Sequence, residues 1–330
     1  MHIAIIGAAG MVGRKLGAAL AAAGQLGGQP ITRYTLVDVV APEALPGAAP
    51  STSIEADLSA PGQAERLIES RPDVIFHLAA IVSGEAEQDF EKGYRINLDG
   101  TRLLFEAIRL AAPSGYRPRV VFTSSIAVYG APLPYPIADD YHHTPLTSYG
   151  TQKAICELLL SDYSRRGFFD GIGIRLPTIC IRPGKPNKAA SGFFSSILRE
   201  PLVGQEAVLP VDEGVRHWHA SPRAAVGFLL HAATLDLDRV GPRRNLNMPG
   251  VSATVGEQIE ALRRRAGDAA VKLIRKQPDP RIIEMVNGWA PGFDAQRARE
   301  LGFSAEASFD EIIEAHVQDE LGGQLGAPRG

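Results

Sequence analysis

The sequence predicts an α/β fold, a doubly wound parallel sheet with a smaller lobe attached at its C-terminal side. Three observations carry that expectation. Short apolar runs alternate with helical stretches through the first half of the chain; the first run leads directly into a glycine-rich turn; and the regular alternation ends near residue 176. Strand and helix in alternation imply parallel strands with helices on both faces. Ligands of such sheets sit beyond the carboxyl ends of the strands.

The strand candidates are residues 3–6, 34–39, 53–56, 74–78, 120–123 and 173–176, each short, apolar or β-branched and bounded by turn formers. Between them, residues 11–23, 61–70, 89–110 and 148–165 carry apolar side chains at helical spacing. After Leu176 the pattern loosens at Pro177, Pro183, Gly184 and Pro186. Further helices are expected near residues 192–199, 222–233 and 308–320. The resulting division is a dinucleotide-binding domain over 1–176, with segments returning to it near 216–248, and a mainly substrate-binding lobe over 177–330.

Composition narrows the function. With 45% hydrophobic and 22% charged residues over 330 positions, the chain has the make-up of an ordinary globular protein. A net charge of −3 without a long basic run gives no reason to expect nucleic acid as a partner. No stretch approaches the roughly 20 apolar residues of a membrane span, so no membrane partner is expected. Met1–Ile6 reads as a buried strand and not as a signal peptide. Two cysteines, Cys156 and Cys180, suit a reducing compartment, and a cytoplasmic location is expected.

Gly7-Ala8-Ala9-Gly10-Met11-Val12-Gly13 follows the first strand and opens the first helix. Glycines so placed allow a tight turn, close approach to a pyrophosphate and close packing of helix on strand, the Rossmann arrangement. The amides of the first helical turn, at Met11 and Val12, then face the phosphates. Asp38 ends the second strand, where a carboxylate accepts hydrogen bonds from a ribose diol and repels a 2′-phosphate. No arginine occupies positions 39 and 40, so NAD is expected over NADP. Asp57-Leu58 would border the adenine or, for Asp57, cap a helix. Leu78-Ala79-Ala80 and Pro177 follow strand ends and would approach the cofactor.

Tyr149-Gly150-Thr151-Gln152-Lys153 sets a phenol and an ammonium four positions apart on one helix face. A neighbouring cation favours the phenolate, so Lys153 and a cationic nicotinamide are expected to lower the Tyr149 pKa. Lys153 would also hold the nicotinamide ribose. Ser125, after the fifth strand, would donate to the reacting oxygen while Tyr149 handles its proton. Asn97 lies mid-helix, where asparagine is a poor helix former, and would fix a kink or a proton-relay water.

Together these motifs, from Met1 to about Arg182, resemble the extended short-chain dehydrogenases/reductases, a family that includes nucleotide-sugar epimerases and dehydratases. Residues 175–201, Ala80-Ile81-Val82-Ser83-Gly84-Glu85-Ala86 and 301–310 are similar to the branch of that family that dehydrogenates D-erythronate. The resemblance implies NAD-dependent oxidation of a four-carbon sugar acid at C2. Such a substrate needs a cation for its carboxylate: Arg182, Lys185, Lys188 and Arg216 are the candidates, with Ser83, Ser125, Tyr149 and Thr178 for its hydroxyls. Arg216-His217-Trp218 is similar to the Arg-Asp-aromatic segment that grips sugar diphosphates in the epimerases, but carries His217 in place of the aspartate. A nucleotide-sugar epimerase and a non-catalytic dinucleotide sensor are the competing readings. His142 and His143 with Asp139 and Asp140 lack metal-ligand spacing, so no metal is expected. The helices at 89–110 and 148–165 are a candidate homodimer seam.

Overall fold

The computed structural model describes residues 1–47, 49–184 and 190–325. Seven strands form the main sheet: β1 (His2–Ile6), β2 (Arg33–Asp38), β3 (Ser51–Glu55), β4 (Val74–His77), β5 (Arg119–Ser125), β6 (Asp170–Leu176) and β7 (Asn245–Asn247). Their spatial order is β7-β6-β5-β4-β1-β2-β3, and every neighbouring pair is parallel. The central strands read as apolar runs because both faces are covered; Ile3, Ile5, Ile75, Phe76, Val120, Val121 and Phe122 are all fully buried. The chain builds β1, β2 and β3 outward on one side, then crosses to β4 on the other. A crevice therefore opens at the carboxyl ends of β1 and β4, where ligands of doubly wound sheets bind.

β7 returns from the second half of the chain to pair with β6. Strand Arg216–Ala220 instead joins a separate three-stranded sheet, between Val251–Thr254 and Thr178–Ile179. Around that sheet a second apolar cluster gathers Phe193, Phe194, Ile197, Val255, Ile259, Leu262, Phe309 and Ile312. The expected set of helices omits Val255–Val271, although Thr254 and Glu257 form a reciprocal capping box at its start. Helix Pro222–Thr234 packs against Met11–Ala23 and belongs to the core of the main sheet.

The stretch expected as one helix over 89–110 is interrupted. Phe90–Gly93 and Gly100–Ala111 are α-helical, and Tyr94–Asp99 between them is a π-helical turn. Asn97 sits in that turn, 1% exposed. Its Oδ1 accepts from the Ile81 amide (2.9 Å), and its Nδ2 donates to Ile81 O (3.2 Å) and Gln152 Oε1 (2.8 Å). The widened turn lets one side chain tie the segment after β4 to the helix carrying Tyr149; such turns recur at functional sites.

That helix, Ser148–Arg165, is anchored by Glu157, which has no solvent exposure. Arg175 on β6 donates from Nε (2.9 Å) and Nη2 (2.7 Å) to the Glu157 carboxylate. His143 Nε2 lies 2.8 Å from it, and Ser124 donates to it as well. Burial alone would raise the Glu157 pKa, but the Arg175 charge prevails and holds it at about 2. A carboxylate depressed from 4.5 to about 2 stabilises the fold fully above the upper value and loses that contribution as pH falls through the interval. Glu157→Gln leaves Arg175 buried without its counter-charge, a loss of about 3–5 kcal/mol. Thermal melts should show a lower Tm at neutral pH and a flatter decline from pH 5 to pH 2 than in the parent chain.

Candidate active site

The first half of the site is the crevice at the β1/β4 crossover, a cleft of about 540 Å³. Its walls include Gly7, Gly10, Asp38, Asp57, Leu58, Leu78, Ala79 and Ala80. Backbone proximity dictates the glycines. Gly7 has φ +90°, and a Cβ there would lie 2.7 Å from the Ala79 amide nitrogen; one on Gly13 would meet the Gly7 carbonyl at 2.1 Å. Gly10 caps helix Met11–Ala23 without a side-chain bond, so the Met11 and Val12 amides keep their donors for an outside acceptor. An anionic pyrophosphate fits that cradle.

Asp38 stands at the end of β2, its Oδ2 accepting from the Ala9 amide (2.9 Å) and its Oδ1 from the Val39 amide (2.8 Å). These bonds orient the carboxylate and leave further lone pairs for a ribose diol. Asp57 is not a helix cap, because Gly62 occupies that position. Ser59 and Arg95 bind the Asp57 carboxylate instead; burial pushes its pKa up, but these bonds leave it below the usual range. One cation on this wall escapes a search confined to positions 39 and 40: Arg14, whose guanidinium donates to Ala9 O (2.7 Å).

The second half lies past β5 and β6. Ser125 ends β5 in register with Leu176, the last residue of β6, and its Oγ accepts from the Ala127 amide (3.1 Å). Tyr149 lies in the first turn of its helix, capped by Thr147 accepting from the Gly150 amide. Burial raises the Tyr149 pKa, while the nearby Ser125 hydroxyl and the Arg182 charge pull it down, the first effect prevailing. The cation expected to act on the phenol was Lys153. In the structure the Lys153 Nζ is 5.8 Å from the Tyr149 ring centroid and donates to Thr123 O (2.8 Å). Lys153 is itself buried, which pulls its pKa down to about 8. Of the two cations, Arg182 is the one whose charge lowers the phenol's pKa.

Arg182 donates from Nε to Ile179 O (3.0 Å) and from Nη2 to Ser191 Oγ (3.2 Å). No carboxylate among the described residues pairs with it, and burial pulls its pKa down. Arg216, the alternative cation, is held by Glu257 (3.1 Å) and by Ser252 O (3.1 Å). Lys185 and Lys188 lie outside the described residues. Ser83 opens the short helix Ser83–Gln88, which packs on the Tyr149 helix. Pro177 and Thr178 follow β6 directly, and Thr178 bonds His217. His143 belongs to the Glu157 cluster. Cys156 and Cys180 are fully buried, and desolvation raises their pKa values to about 11 and about 12.

Residues 3–225 match the model of the NAD dependent epimerase/dehydratase family, and the chain belongs to that family. It is an NAD-dependent oxidoreductase. Among its relatives, the D-erythronate dehydrogenase of Cupriavidus necator is 48% identical over 97% of this chain and 98% of its own length. The D-erythronate dehydrogenase of Haemophilus influenzae is 41% identical over 97% of this chain and 100% of its own. A crystal structure of the nucleoside-diphosphate-sugar epimerase from Agrobacterium tumefaciens is 74% identical, with a TM-score of 0.97, and covers 98% of this chain and 95% of its own. No helix among the described residues is long and apolar enough to cross a membrane.

If Asp38 selects the cofactor, replacing Asp38 with Gly and Val39 with Arg should weaken NAD binding and strengthen NADP binding. Titration of both dinucleotides reads the change, and a parent chain preferring NADP would refute the ribose assignment.

Proposed function

We propose that the chain oxidises the C2 hydroxyl of D-erythronate, a four-carbon sugar acid, to 2-dehydro-D-erythronate. The observation that carries this reading is Arg182: a half-buried guanidinium whose charge lowers the Tyr149 pKa, without a carboxylate partner among the described residues. A cation partly withdrawn from water is stabilised when an anion meets it, and a hydroxy acid supplies one. The two relatives named D-erythronate dehydrogenase support the choice of acid.

NAD, when bound, accepts the hydrogen of the substrate carbon with its electron pair. The Gly7–Gly13 turn would hold its pyrophosphate, Asp38 its ribose, and Lys153 the ribose next to the nicotinamide. Arg182 holds the substrate carboxylate and so fixes which carbon stands at Tyr149. The Ser125 O–H donates to the C2 oxygen, and the Tyr149 phenolate takes the hydroxyl proton as the carbonyl forms. Asn97 acts on this geometry from behind, through Gln152 and Ile81.

The nucleoside-diphosphate-sugar epimerase reading draws on the 74% identical chain of that description. Against it stands His217 at the position of the diphosphate-gripping aspartate, buried and bonded to Thr178 and Ala290, beside an Arg216 already paired with Glu257.

Tyr149→Phe should lose on the order of 10²-fold or more in turnover and still bind NAD. Since the phenol must ionise and burial raises its pKa, oxidation should rise with pH and then level off. Near-normal turnover by the phenylalanine variant would exclude Tyr149 as base. Arg182→Gln should raise KM for D-erythronate on the order of 10²-fold or more, the scale of an unpaired buried charge, with NAD affinity unchanged. Erythritol, which lacks the carboxylate, should be a poor substrate of the parent chain; if it matches D-erythronate, Arg182 has no such role.

A further inference from the structure

His217 has a consequence for specificity, resting on the substrate reading above. Its ring is 3% exposed. Phe194 stacks on it with ring centroids 5.3 Å apart and planes 7° from parallel, and Trp289 packs at 5.1 Å. The ring cannot turn without displacing both neighbours. Its Nδ1 lies 3.0 Å from the Ala290 carbonyl oxygen and its Nε2 lies 2.7 Å from Thr178 Oγ1.

A carbonyl oxygen only accepts, so Nδ1 must carry the proton. Burial pulls the His217 pKa down to about 4, so the neutral ring has one proton, and Nε2 is bare. The 2.7 Å contact is then made by the Thr178 hydroxyl donating to Nε2. Thr178 has no second proton and presents only lone pairs elsewhere. Its side chain is half-buried, two residues beyond Leu176, which is in register with Ser125. It stands at the start of the segment that leads to Arg182.

We propose that His217 is a positioning residue that makes the Thr178 hydroxyl an obligate acceptor, so that the site selects acids carrying a distal hydroxyl. A substrate O–H facing Thr178 gains a hydrogen bond; a carboxylate oxygen meets lone pairs, and a hydrogen atom leaves the acceptor unpaired. Arg182 and Thr178 thereby divide the substrate, one taking the charged end and the other a hydroxyl. The His217 that replaces the epimerase aspartate thus acquires a use in a hydroxy-acid enzyme.

Two measurements test this. The first is ¹⁵N NMR of the histidine side chains in the intact protein, with His217 assigned by its loss in His217→Phe or His217→Gln. A protonated Nδ1 and bare Nε2 are expected; the reverse tautomer overturns the proposal whatever the substrate. The second compares kcat/KM for D-erythronate and (R)-2-hydroxybutanoate, which lacks the distal hydroxyls. The parent chain should prefer D-erythronate by about 10-fold or more, the scale of an unpaired acceptor. Thr178→Val should shrink that preference toward unity, and His217→Phe, which frees the Thr178 proton but leaves its lone pairs, should shrink it in part. Thr178→Val, which removes the unpaired acceptor, should lower KM for 2-hydroxybutanoate, and NAD affinity should stay unchanged in both variants. His217→Gln, whose amide oxygen can accept from Thr178, should recover part of it. A His217→Phe chain that binds NAD, oxidises 2-hydroxybutanoate normally and keeps the full preference overturns the proposal. If the parent chain turns over 2-hydroxybutanoate but not D-erythronate, the substrate reading fails separately, and the tautomer still decides the role of His217.

Discussion

A carboxylate removed entirely from water can stay ionised only where a cation meets it directly, and Glu157 satisfies that condition through Arg175. The pair joins the middle of helix Ser148–Arg165 to β6, and its side chains fit in one rotation of that helix. Tyr149, Lys153 and Glu157 follow one another at four-residue steps along one face. With Glu157 held by β6, Lys153 is set against Thr123 on β5, and Tyr149 arrives beyond the carboxyl edge near Ser125. Arg175 also bonds Asn247 (3.1 Å), tying in β7. Tyr149 and Lys153 therefore take their positions from an ion pair further along the same helix.

The chemistry at the other end is set by contrast. In the proposed assignment the cofactor half of the site is built largely from backbone, glycines without Cβ and helix amides, with one strand-end carboxylate added. The proposed substrate half is built from side chains on segments that loop out past β6, Thr178 and Arg182 among them. A backbone cradle suits a cofactor shared by a whole family. Side chains on connecting segments suit the part that differs between its members, and fold alone says little about substrate.

This division also explains what was legible in the sequence. Gly7 and Gly13 announce themselves because a Cβ at either would collide with backbone, and Asp38 because it closes the second apolar run. Tyr149 and Lys153 are recognisable by helical spacing, and Glu157, four residues on, could have been read by the same rule. Other features depend on meetings across long separations. Nothing local to Asn97 reveals that a π turn will aim it at Ile81, and nothing near Arg216 shows that Glu257 will claim it while Arg182 keeps no carboxylate partner among the described residues. The partner that bears on the His217 tautomer, the Ala290 carbonyl, lies 73 residues away.

The central claim is that an anion at Arg182 directs net oxidation of a hydroxy acid by NAD. Its most direct test is the yield of NADH, followed by absorbance, when the purified chain is mixed with excess NAD and a limiting amount of D-erythronate or of UDP-glucose. The account predicts NADH formation in proportion to added D-erythronate, and neither NADH nor a 4-epimer from UDP-glucose. Epimerised UDP-glucose together with no NADH from D-erythronate would contradict it.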